Sequence, residues 1–215
     1  FNYARLIYNK EIYQSNQPYA NWNLDKALTL IREANSINPL LTYRQMEGNI
    51  LYAQRHYQEA CDLFVALARE SNNAELWLSA SSCKQQLNDT TARLALLDST
   101  MNTFSKPYLK EAAVYLWTRA EARRDAGKFR DAVSDMNEYE ELMKASINDN
   151  FYYLRHQTEI QGRLYQQALN DINRAIQINP NETLYYAEKA SLEIRVGHYD
   201  DAIATARECI AINAD

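Results

Sequence analysis

A motif of one aromatic residue, two variable residues and an alanine recurs at nearly even spacing along the 215-residue chain. It reads Tyr57-Gln-Glu-Ala60, Phe129-Arg-Asp-Ala132, Tyr165-Gln-Gln-Ala168 and Tyr199-Asp-Asp-Ala202. Looser copies are centred on Ala27 and Ala92, so the six alanines lie 33, 32, 40, 36 and 34 residues apart. A period of this length predicts a stack of similar supersecondary units, none of which can bury its apolar face alone.

The composition indicates that each unit is helical. The chain has 28 Ala and 23 Leu but only 4 Val, and it has 4 Gly and 4 Pro. Ala and Leu extend helices well, whereas β-branched residues lose rotamer freedom in them. So few Gly also predict few turns that need a positive φ, which argues against a chain of β-hairpins. The predicted fold class is therefore all-α.

Each unit is predicted to consist of two helices joined by a short turn. The first helix ends at a turn such as the one around Gly127, just before the aromatic residue of the motif. The second helix begins at the motif, where Ala202 and Ala206 share one helical face. It ends before Pro39 and Pro180, because a proline excludes the preceding residue from the α region. The small alanine of the motif lets the two antiparallel helices approach closely.

This pattern resembles the tetratricopeptide repeat family, whose period is 34 residues. The resemblance implies a right-handed α-α superhelix, a solenoid of about twelve antiparallel helices in six pairs. In that family the first helix carries a large residue and, four positions later, a small one. The matching pairs are Leu116 with Ala120, Tyr152 with His156, and Tyr186 with Ala190. His156 is too large for the small position, so we expect altered packing there.

Residues 1–215 are predicted to form a single array with approximate units 1–40, 41–73, 74–106, 107–146, 147–182 and 183–215. The 40-residue spacing contains Pro107, which suits the first turn of a helix and predicts a long helix over 107–126. A breaker cluster at 15–18 is predicted to lengthen the first turn. The third unit matches the motif least well. We therefore expect it to be the weakest, with first protease cleavage near 88–91 or 105–107.

Charge and hydropathy exclude two classes of partner. The formal net charge is −5 with a sequence pI near 5.3, and no run of Lys and Arg is present. Nucleic-acid binding needs a clustered positive surface, so none is predicted. No apolar stretch approaches the length of a membrane span, so no transmembrane segment is predicted. The chain begins at Phe1 rather than Met, which we interpret as a processed product or an excised fragment.

The sequence contains no Gly-rich phosphate loop, no Gly-x-Ser-x-Gly and no His-Glu-x-x-His motif. Three widely spaced cysteines, Cys61, Cys83 and Cys209, are predicted to be small apolar residues rather than a disulfide framework. His56 and His198 occupy equivalent turn positions, which predicts structural turn residues. We therefore predict no enzymatic activity, no cofactor and no metal site.

Two further groups of polar residues are interpreted as structural. His156 lies on a predicted packing face and is expected to be a core histidine with its hydrogen bonds satisfied. Adjacent carboxylates, such as Glu140 with Glu141 and Asp200 with Asp201, do not face each other on a helix. They are predicted to be solvated surface rather than catalytic pairs.

The family resemblance implies that a protein or peptide partner binds the concave face, which the first helices line. Residues that match the inner positions of the family are Gln45, Asn49 and Tyr52, then Trp77, then Trp117, Glu121 and Arg124, then Tyr153, Gln157 and Gln161, and finally Ser191 and Arg195. The third unit also offers Ser81 with Lys84 or Gln85. Aromatic rings supply contact area, and amides can pair with a peptide backbone.

Trp77, Trp117 and Tyr153 are predicted to form an aromatic row, with Trp117 and Tyr153 as the anchors. The alternative is that these rings pack between adjacent units. One sub-class of the family clamps the acidic tails of heat-shock chaperones through Lys, Asn and Arg at set positions. Asn49 fits that pattern, but Gln45 stands where a Lys is needed. A chaperone-tail receptor is therefore disfavoured.

Two other functions stay open, and a third is disfavoured. The last helix keeps Ile203, Ile210 and Ile212 where a terminal cap would be polar, so the chain could pair with itself through this end as a homo-oligomer. It could instead be the sensor domain of a larger protein. RNA binding by a related helical repeat is disfavoured by the negative charge. The many Tyr and Asn residues resemble bacterial envelope proteins, which favours the periplasm or envelope over the cytoplasm.

Overall fold

A computed structural model describes residues 2–13, 20–71, 73–101 and 109–213. This part of the chain holds twelve α-helices and no β-strand. They are α1 (Asn2–Tyr13), α2 (Ala20–Ile37), α3 (Leu41–Ala53), α4 (Tyr57–Ser71), α5 (Ala74–Gln86), α6 (Thr90–Met101), α7 (Leu109–Asp125), α8 (Phe129–Met143), α9 (Asp149–Gln161), α10 (Tyr165–Ile178), α11 (Thr183–Val196) and α12 (Tyr199–Asn213). The all-α prediction is confirmed.

The chain divides into two compact units, residues 1–111 and 112–215. In the first unit, consecutive helices from α1 to α6 pack on one another. Its core is one continuous apolar cluster, in which the largest buried side chains include Phe64, Ile31, Ile50 and Leu67. Each helix therefore buries an apolar stripe against the next, as a repeat array requires.

In the second unit, consecutive helices from α8 to α12 pack on one another. Helix α7 is held on α8 by the ring contact between Trp117 and Tyr139, whose centroids lie 5.3 Å apart. The apolar contacts of this unit fall into several smaller clusters, such as Ala168 with Leu169 and Leu192. That a single array runs through residues 1–215 stays a prediction.

The alanines of the motif occupy the positions that their size predicts. Five of the six, at positions 27, 60, 132, 168 and 202, are buried. Ala92, in the third copy, is only half-buried. Helix α2 ends at Ile37 and α10 at Ile178, two residues before their prolines, as predicted.

The turns correct the expectation that few positions need a positive φ. Five turns between paired helices share one geometry, with left-handed residues at Arg55, Asn88, Gly127, Arg163 and Gly197. In each, the residue after the left-handed one donates its N–H to a carbonyl five residues earlier, as His56 does to Leu51. Three of the five are not glycine. A low glycine count therefore did not limit these turns, because the hydrogen-bonded helix end holds other residues in the left-handed region.

The long spacing before Ala132 has a structural source in α7. This helix has 17 residues, whereas α3, α5 and α9 have 13 each, and it ends at Asp125. A 3₁₀ turn, Lys144–Ser146, follows α8 and was not predicted. The predicted helix start at Pro107, the cleavage region 105–107 and the breaker cluster at 15–18 lie outside the described residues.

Gly48 is required by close packing inside the first unit. It lies on α3 directly against the ring of Phe64 on α4. A Cβ added to Gly48 would stand 2.6 Å from the Cε1 atom of that ring. The glycine therefore lets the two helices approach with a large aromatic ring between them.

Candidate functional site

A cavity of about 470 Å³ in the second unit is lined by residues of α7, α9 and α11 and by Phe129 at the start of α8. Five of the predicted concave-face residues line it: Arg124, Gln157, Gln161, Ser191 and Arg195. They lie on α7, α9 and α11, which are the first helices of three successive repeats. Side chains that are up to 71 positions apart in sequence therefore line the same cavity. We call this surface the helix cavity.

The wall of the helix cavity combines charged, amide and apolar groups. Phe129 and Ile160 supply apolar surface, and the buried Leu192 also lines the cavity. The sequence predicted Phe129 only as a motif residue, and Ile160 and Leu192 not at all. Asp125 and Glu188 add two carboxylates. A surface of this mixture suits a peptide, since it offers both contact area and hydrogen-bonding groups.

Two of the predicted residues in the wall are arginines whose side chains have no partner among the described residues. Among the described residues, the side chains of Arg124 and Arg195 form no ion pair or hydrogen bond. Both guanidinium groups are therefore available to a ligand. Gln157 and Gln161, one turn apart on α9, lie between the two arginines in chain order.

The predicted anchors in the second unit are packed against neighbouring rings. Trp117 is half-buried, with its centroid 5.3 Å from Tyr139 and 6.2 Å from Phe151, and its Nε1 donates to Glu121 at 3.0 Å. The ring of Tyr153 lies 5.2 Å from that of Tyr185. Both rings thus pack between helices of adjacent repeats, as the alternative interpretation in the sequence analysis expects. Their role as anchors stays a prediction.

The predicted residues of the first unit lie on α3 and α5. Gln45 and Asn49 are half-buried on α3. Tyr52 meets Tyr57 edge to face at 5.2 Å, and Trp77 packs against the apolar cluster of this unit. Ser81 is fully buried, so its proposed place on an open binding face was wrong.

A second cavity, of about 420 Å³, lies between the α7–α8 turn and the α9–α10 turn. Three cations, Lys128, Arg130 and Arg163, and one carboxylate, Asp131, line it. Arg130 joins the two turns, because its Nε donates to the carbonyl oxygen of Gly162 at 3.4 Å. The sequence analysis missed this surface, which we call the turn cavity.

A buried ionic network links α8, α9 and α10. Arg155 donates to both carboxylate oxygens of Asp171, at 3.0 Å from Nη2, and to Glu140 at 2.6 Å from Nη1. Tyr152 and Arg174 also donate to Glu140. Burial alone would raise the pKa of Glu140, but the hydrogen bonds from Arg155 and Tyr152 outweigh it and lower that pKa. Glu140 is half-buried and paired, so its assignment to solvated surface was wrong.

The same region holds a second buried carboxyl group. Glu159 is buried beside Asp171, and its Oε2 has no hydrogen-bond partner among the described residues. Burial, together with the charge of Asp171, raises the pKa of Glu159 to about 8. At neutral pH the group is therefore protonated, which lets it lie next to a carboxylate.

His156 is buried, as predicted, but only one of its ring nitrogens is satisfied. Nδ1 lies 2.9 Å from the carbonyl oxygen of Ala168, the motif alanine of the facing helix. Nε2 has no partner among the described residues. Burial lowers the pKa of His156, so the ring is neutral at pH 7.

Comparison with known proteins agrees with this architecture. No protein-family model matches the chain. Superkiller complex protein 3 from Mus musculus is 26% identical over 175 residues, which is 80% of this chain and 10% of that protein. The chain thus spans about a tenth of the length of this curated relative.

Solved structures resemble the chain more extensively. YrrB, described as a TPR protein with an unusual peptide-binding site, has a TM-score of 0.66 at 9% identity, covering 86% of this chain and 93% of its own. A tetratricopeptide repeat protein from Parabacteroides merdae has a TM-score of 0.62 at 17% identity, covering 96% and 80%. MamA from Desulfovibrio magneticus RS-1 has a TM-score of 0.63 at 12% identity, covering 81% and 95%. The chain has the tetratricopeptide-repeat fold.

The cysteines of this tetratricopeptide fold are free thiols. Cys61 and Cys83 are buried, as predicted, whereas Cys209 is only half-buried. Burial raises the pKa of Cys83 to about 12, so its thiol stays protonated at neutral pH. Within the described ranges, no three His, Cys, Asp or Glu side chains are grouped to hold a metal ion.

His56 and His198 precede α4 and α12 at equivalent positions of the repeat, as predicted, and both are exposed. None of the described helices combines the length and the apolar character that crossing a bilayer requires.

The last helix of the repeat fold exposes apolar side chains. Ile203 is 52% exposed and Ile210 is 68% exposed, on the face that also carries Tyr199. The residues at the same repeat positions as Ile203 and Ala206 are Leu169 and Ile172 of α10, and both are buried. In α10 this face is covered by packing against α11.

Proposed function

We propose that the chain is a non-catalytic scaffold that binds a peptide or an extended protein segment on the helix cavity of its second unit. The observation that carries this proposal is the convergence of five predicted binding residues on one cavity. Two of them, Arg124 and Arg195, have uncommitted guanidinium groups. The peptide-binding site named for YrrB, which shares the fold, supports the same assignment.

The mode of binding follows from the wall of the cavity. The amides of Gln157 and Gln161 can donate to and accept from a peptide backbone, since each carries both a donor and an acceptor. The half-buried side chains of Phe129 and Ile160 supply apolar surface for one or two side chains of the ligand. Trp117 and Tyr153 lie outside the lining of the cavity, on the helices α7 and α9 that contribute to its wall. We propose that their packed rings orient these helices while the amides make the contacts.

A displayed library of random peptides, selected against the full chain, tests this function. We expect a consensus peptide whose affinity falls about tenfold or more in Gln157→Ala/Gln161→Ala, the loss of roughly two net hydrogen bonds. The matched control is Gln166→Ala/Gln167→Ala, which removes two exposed amides from α10 and should leave the affinity unchanged. Equal loss in both variants, or loss in neither, would remove the binding site from α9.

The anchors need a separate measurement, because their rings also pack in the core. Trp117→Ala and Tyr153→Ala are compared with the wild-type chain only after their melting temperatures and helicity have been measured. Lost binding in a variant that melts normally would make the ring an anchor. Lost binding that follows lost stability would leave it as a packing residue.

A second candidate function is self-association through α12. The exposed Ile203 and Ile210 favour it, because the equivalent face of α10 is buried by the next helix. Sedimentation at increasing concentration should show a rising mass that Ile203→Glu/Ile210→Glu abolishes. A mass that stays monomeric over the whole concentration range would end this candidate.

A further inference from the structure

The turn cavity has a charge opposite to that of the chain. The protein carries a formal net charge of −5, yet this cavity is lined by Lys128, Arg130 and Arg163 against the single carboxylate of Asp131. Like charges gathered on one concave surface repel each other unless an anion neutralises them. The excess of two positive charges therefore indicates an anionic ligand.

Two of the three cationic side chains have no partner among the described residues. The side chains of Lys128 and Arg163 form no ion pair or hydrogen bond there. Arg130 differs from them, because its Nε donates a hydrogen bond to the carbonyl oxygen of Gly162 and thereby links the two turns. One cation thus holds the two turns together, and the other two are left to face a ligand.

Hydrogen bonds fix the backbone from which these two cationic side chains extend. Lys128 follows the left-handed Gly127 and donates its N–H to the carbonyl oxygen of Arg123 at 2.8 Å. Arg163 is itself the left-handed residue of its turn, and its N–H donates to Ile160 at 3.1 Å. Two identical turns, one period apart, therefore present a cation each from a fixed backbone.

The turn cavity also continues into the helix cavity. Phe129 and Gln161 line both. A segment that lies along α9 in the helix cavity would therefore reach the turn cavity within a few residues of chain. This continuity favours a protein ligand over a membrane surface or a free ion.

We propose that the turn cavity binds the phosphate monoester of a phosphorylated partner segment. A phosphate monoester carries nearly two negative charges and three acceptor oxygens, which match an ammonium and a guanidinium with a net excess of two charges. A single carboxylate would leave one of these charges unneutralised. The identity of the segment rests on the proposed function, whereas the anion site itself does not.

The anion site is tested with inorganic phosphate and then with O-phosphoserine, each titrated into the ¹⁵N-labelled full chain at constant ionic strength. We expect saturable shifts of the Gly127 and Gly162 amide signals with both probes. In Lys128→Gln/Arg163→Gln the dissociation constants should rise about tenfold, because two charge-assisted contacts are lost. Arg55→Gln, which removes a cation from the equivalent turn of the first unit, is the matched control and should change nothing.

The outcomes separate the site from its ligand. Shifts that grow linearly, that chloride reproduces, or that persist in the double variant would overturn the anion site. If the peptide of the library experiment binds, its serine-phosphorylated form should bind more tightly to the wild type but not to Lys128→Gln/Arg163→Gln. Equal binding of both forms would overturn the phosphorylated segment while leaving the proposed function intact.

The membrane alternative has its own arm. Vesicles that carry a phosphoinositide should not pull down the chain at physiological salt. Co-sedimentation that depends on Lys128 and Arg163 would overturn the protein ligand and assign the cavity to a lipid headgroup.

Discussion

The two units are built from the same helix pairs but fill their cores with different chemistry. Among the described residues, the first unit buries three polar side chains, Ser81, Arg93 and Thr100. The second buries eight, namely Asp135, Arg155, His156, Thr158, Glu159, Asp171, Glu193 and Thr205. The first core is almost wholly apolar, whereas the second combines buried apolar side chains such as Met136 and Ile172 with ionic and hydrogen-bonded contacts between its helices.

The comparison teaches that the repeat motif fixes the backbone and leaves the interior chemistry free. Asp135 on α8 and Asp171 on α10 are equivalent, and each accepts from an arginine sixteen residues earlier. At the next equivalent position Thr205 donates to Glu193 at 2.9 Å. Buried ion pairs contribute little net stability, since desolvation offsets their attraction, but breaking one is costly. The second unit should therefore be the more sensitive to charge and pH.

The largest effect is expected from Arg155→Met. This change removes the buried guanidinium that Asp171 and Glu140 share, and leaves them with the exposed Arg174. We expect a loss of about 3–5 kcal/mol in the free energy of unfolding at pH 7. Urea unfolding, followed by circular dichroism and by tryptophan fluorescence, measures it.

Arg69→Met on α4 is the control for Arg155→Met, because Arg69 is exposed in the first unit. It should change stability by no more than about 0.5 kcal/mol. If both methionine variants prove equally stable, the ionic network does not hold the second unit, and the contrast between the two cores fails.

The second-largest effect is the pH dependence that Glu159 gives to the free energy of unfolding. Its pKa is raised in the folded chain to about 8, against about 4.3 for an unfolded Glu, so the folded state binds more protons between these values. The contribution of Glu159 to stability is therefore fully present below the unfolded pKa and is lost as pH rises to 8. Glu159→Gln, which keeps a donor towards Asp171, removes this dependence.

Melting curves of wild type and Glu159→Gln from pH 5 to pH 9 measure the effect. We expect similar stability at pH 5 and a variant that is more stable by on the order of 1–3 kcal/mol at pH 8. Glu208→Gln, on the exposed face of α12, is the control. Parallel curves for wild type and Glu159→Gln would mean that Glu159 is ionised in the fold.

A smaller effect tests the apolar core of the first unit. In Gly48→Ala the new Cβ would stand 2.6 Å from the Phe64 ring. We expect a loss of about 1–2 kcal/mol, because the cost of overpacking exceeds the gain in helix propensity. Chemical denaturation measures it, and Phe64→Leu in the same chain should recover part of the loss.

Gly162→Ala provides the counterpart in the second unit. Its Cβ would meet no atom closer than 3.4 Å, and its φ is −75°. It should therefore be neutral or slightly stabilising. If Gly48→Ala lowers the free energy of unfolding no more than Gly162→Ala does, a shift of the helices relieves the clash with Phe64.

The smallest effect is a gain of stability at a turn. Arg55 has a φ of 64°, which costs a side chain more than it costs glycine. Arg55→Gly should raise the free energy of unfolding by about 0.5–1 kcal/mol. The reverse change, Gly127→Arg at a φ of 71°, should lower it by a similar amount, as thermal melts would show.

Much of the fold could be predicted because the repeat is written at regular spacing. The motif alanines predicted where helices cross, and Pro39 and Pro180 predicted where α2 and α10 end. The family register also predicted five residues that line the helix cavity. These features depend on local sequence or on a fixed repeat period, and both are visible within a single sequence.

The predictions that failed depend on contacts between neighbouring repeats. Glu140 was assigned to solvated surface because adjacent carboxylates on a helix do not face each other, yet Arg155 of the next helix pair donates to it. The sixteen-residue spacing of Arg119 with Asp135 and of Arg155 with Asp171 was the signal that could have found the network. The turn cavity lies between the turns of two neighbouring repeats, so the pattern of a single repeat does not reveal it.

The side chains of Phe129 and Gln161 form a wall that two cavities share. A ligand that displaces this wall in one cavity alters the room left in the other. Thermodynamic linkage then requires reciprocity: whatever factor an occupant of the first cavity applies to affinity at the second, the second returns to the first. A rotamer of Gln161 that enlarges one cavity at the expense of the other would thus couple binding in the two, for separate molecules and for two parts of one segment alike.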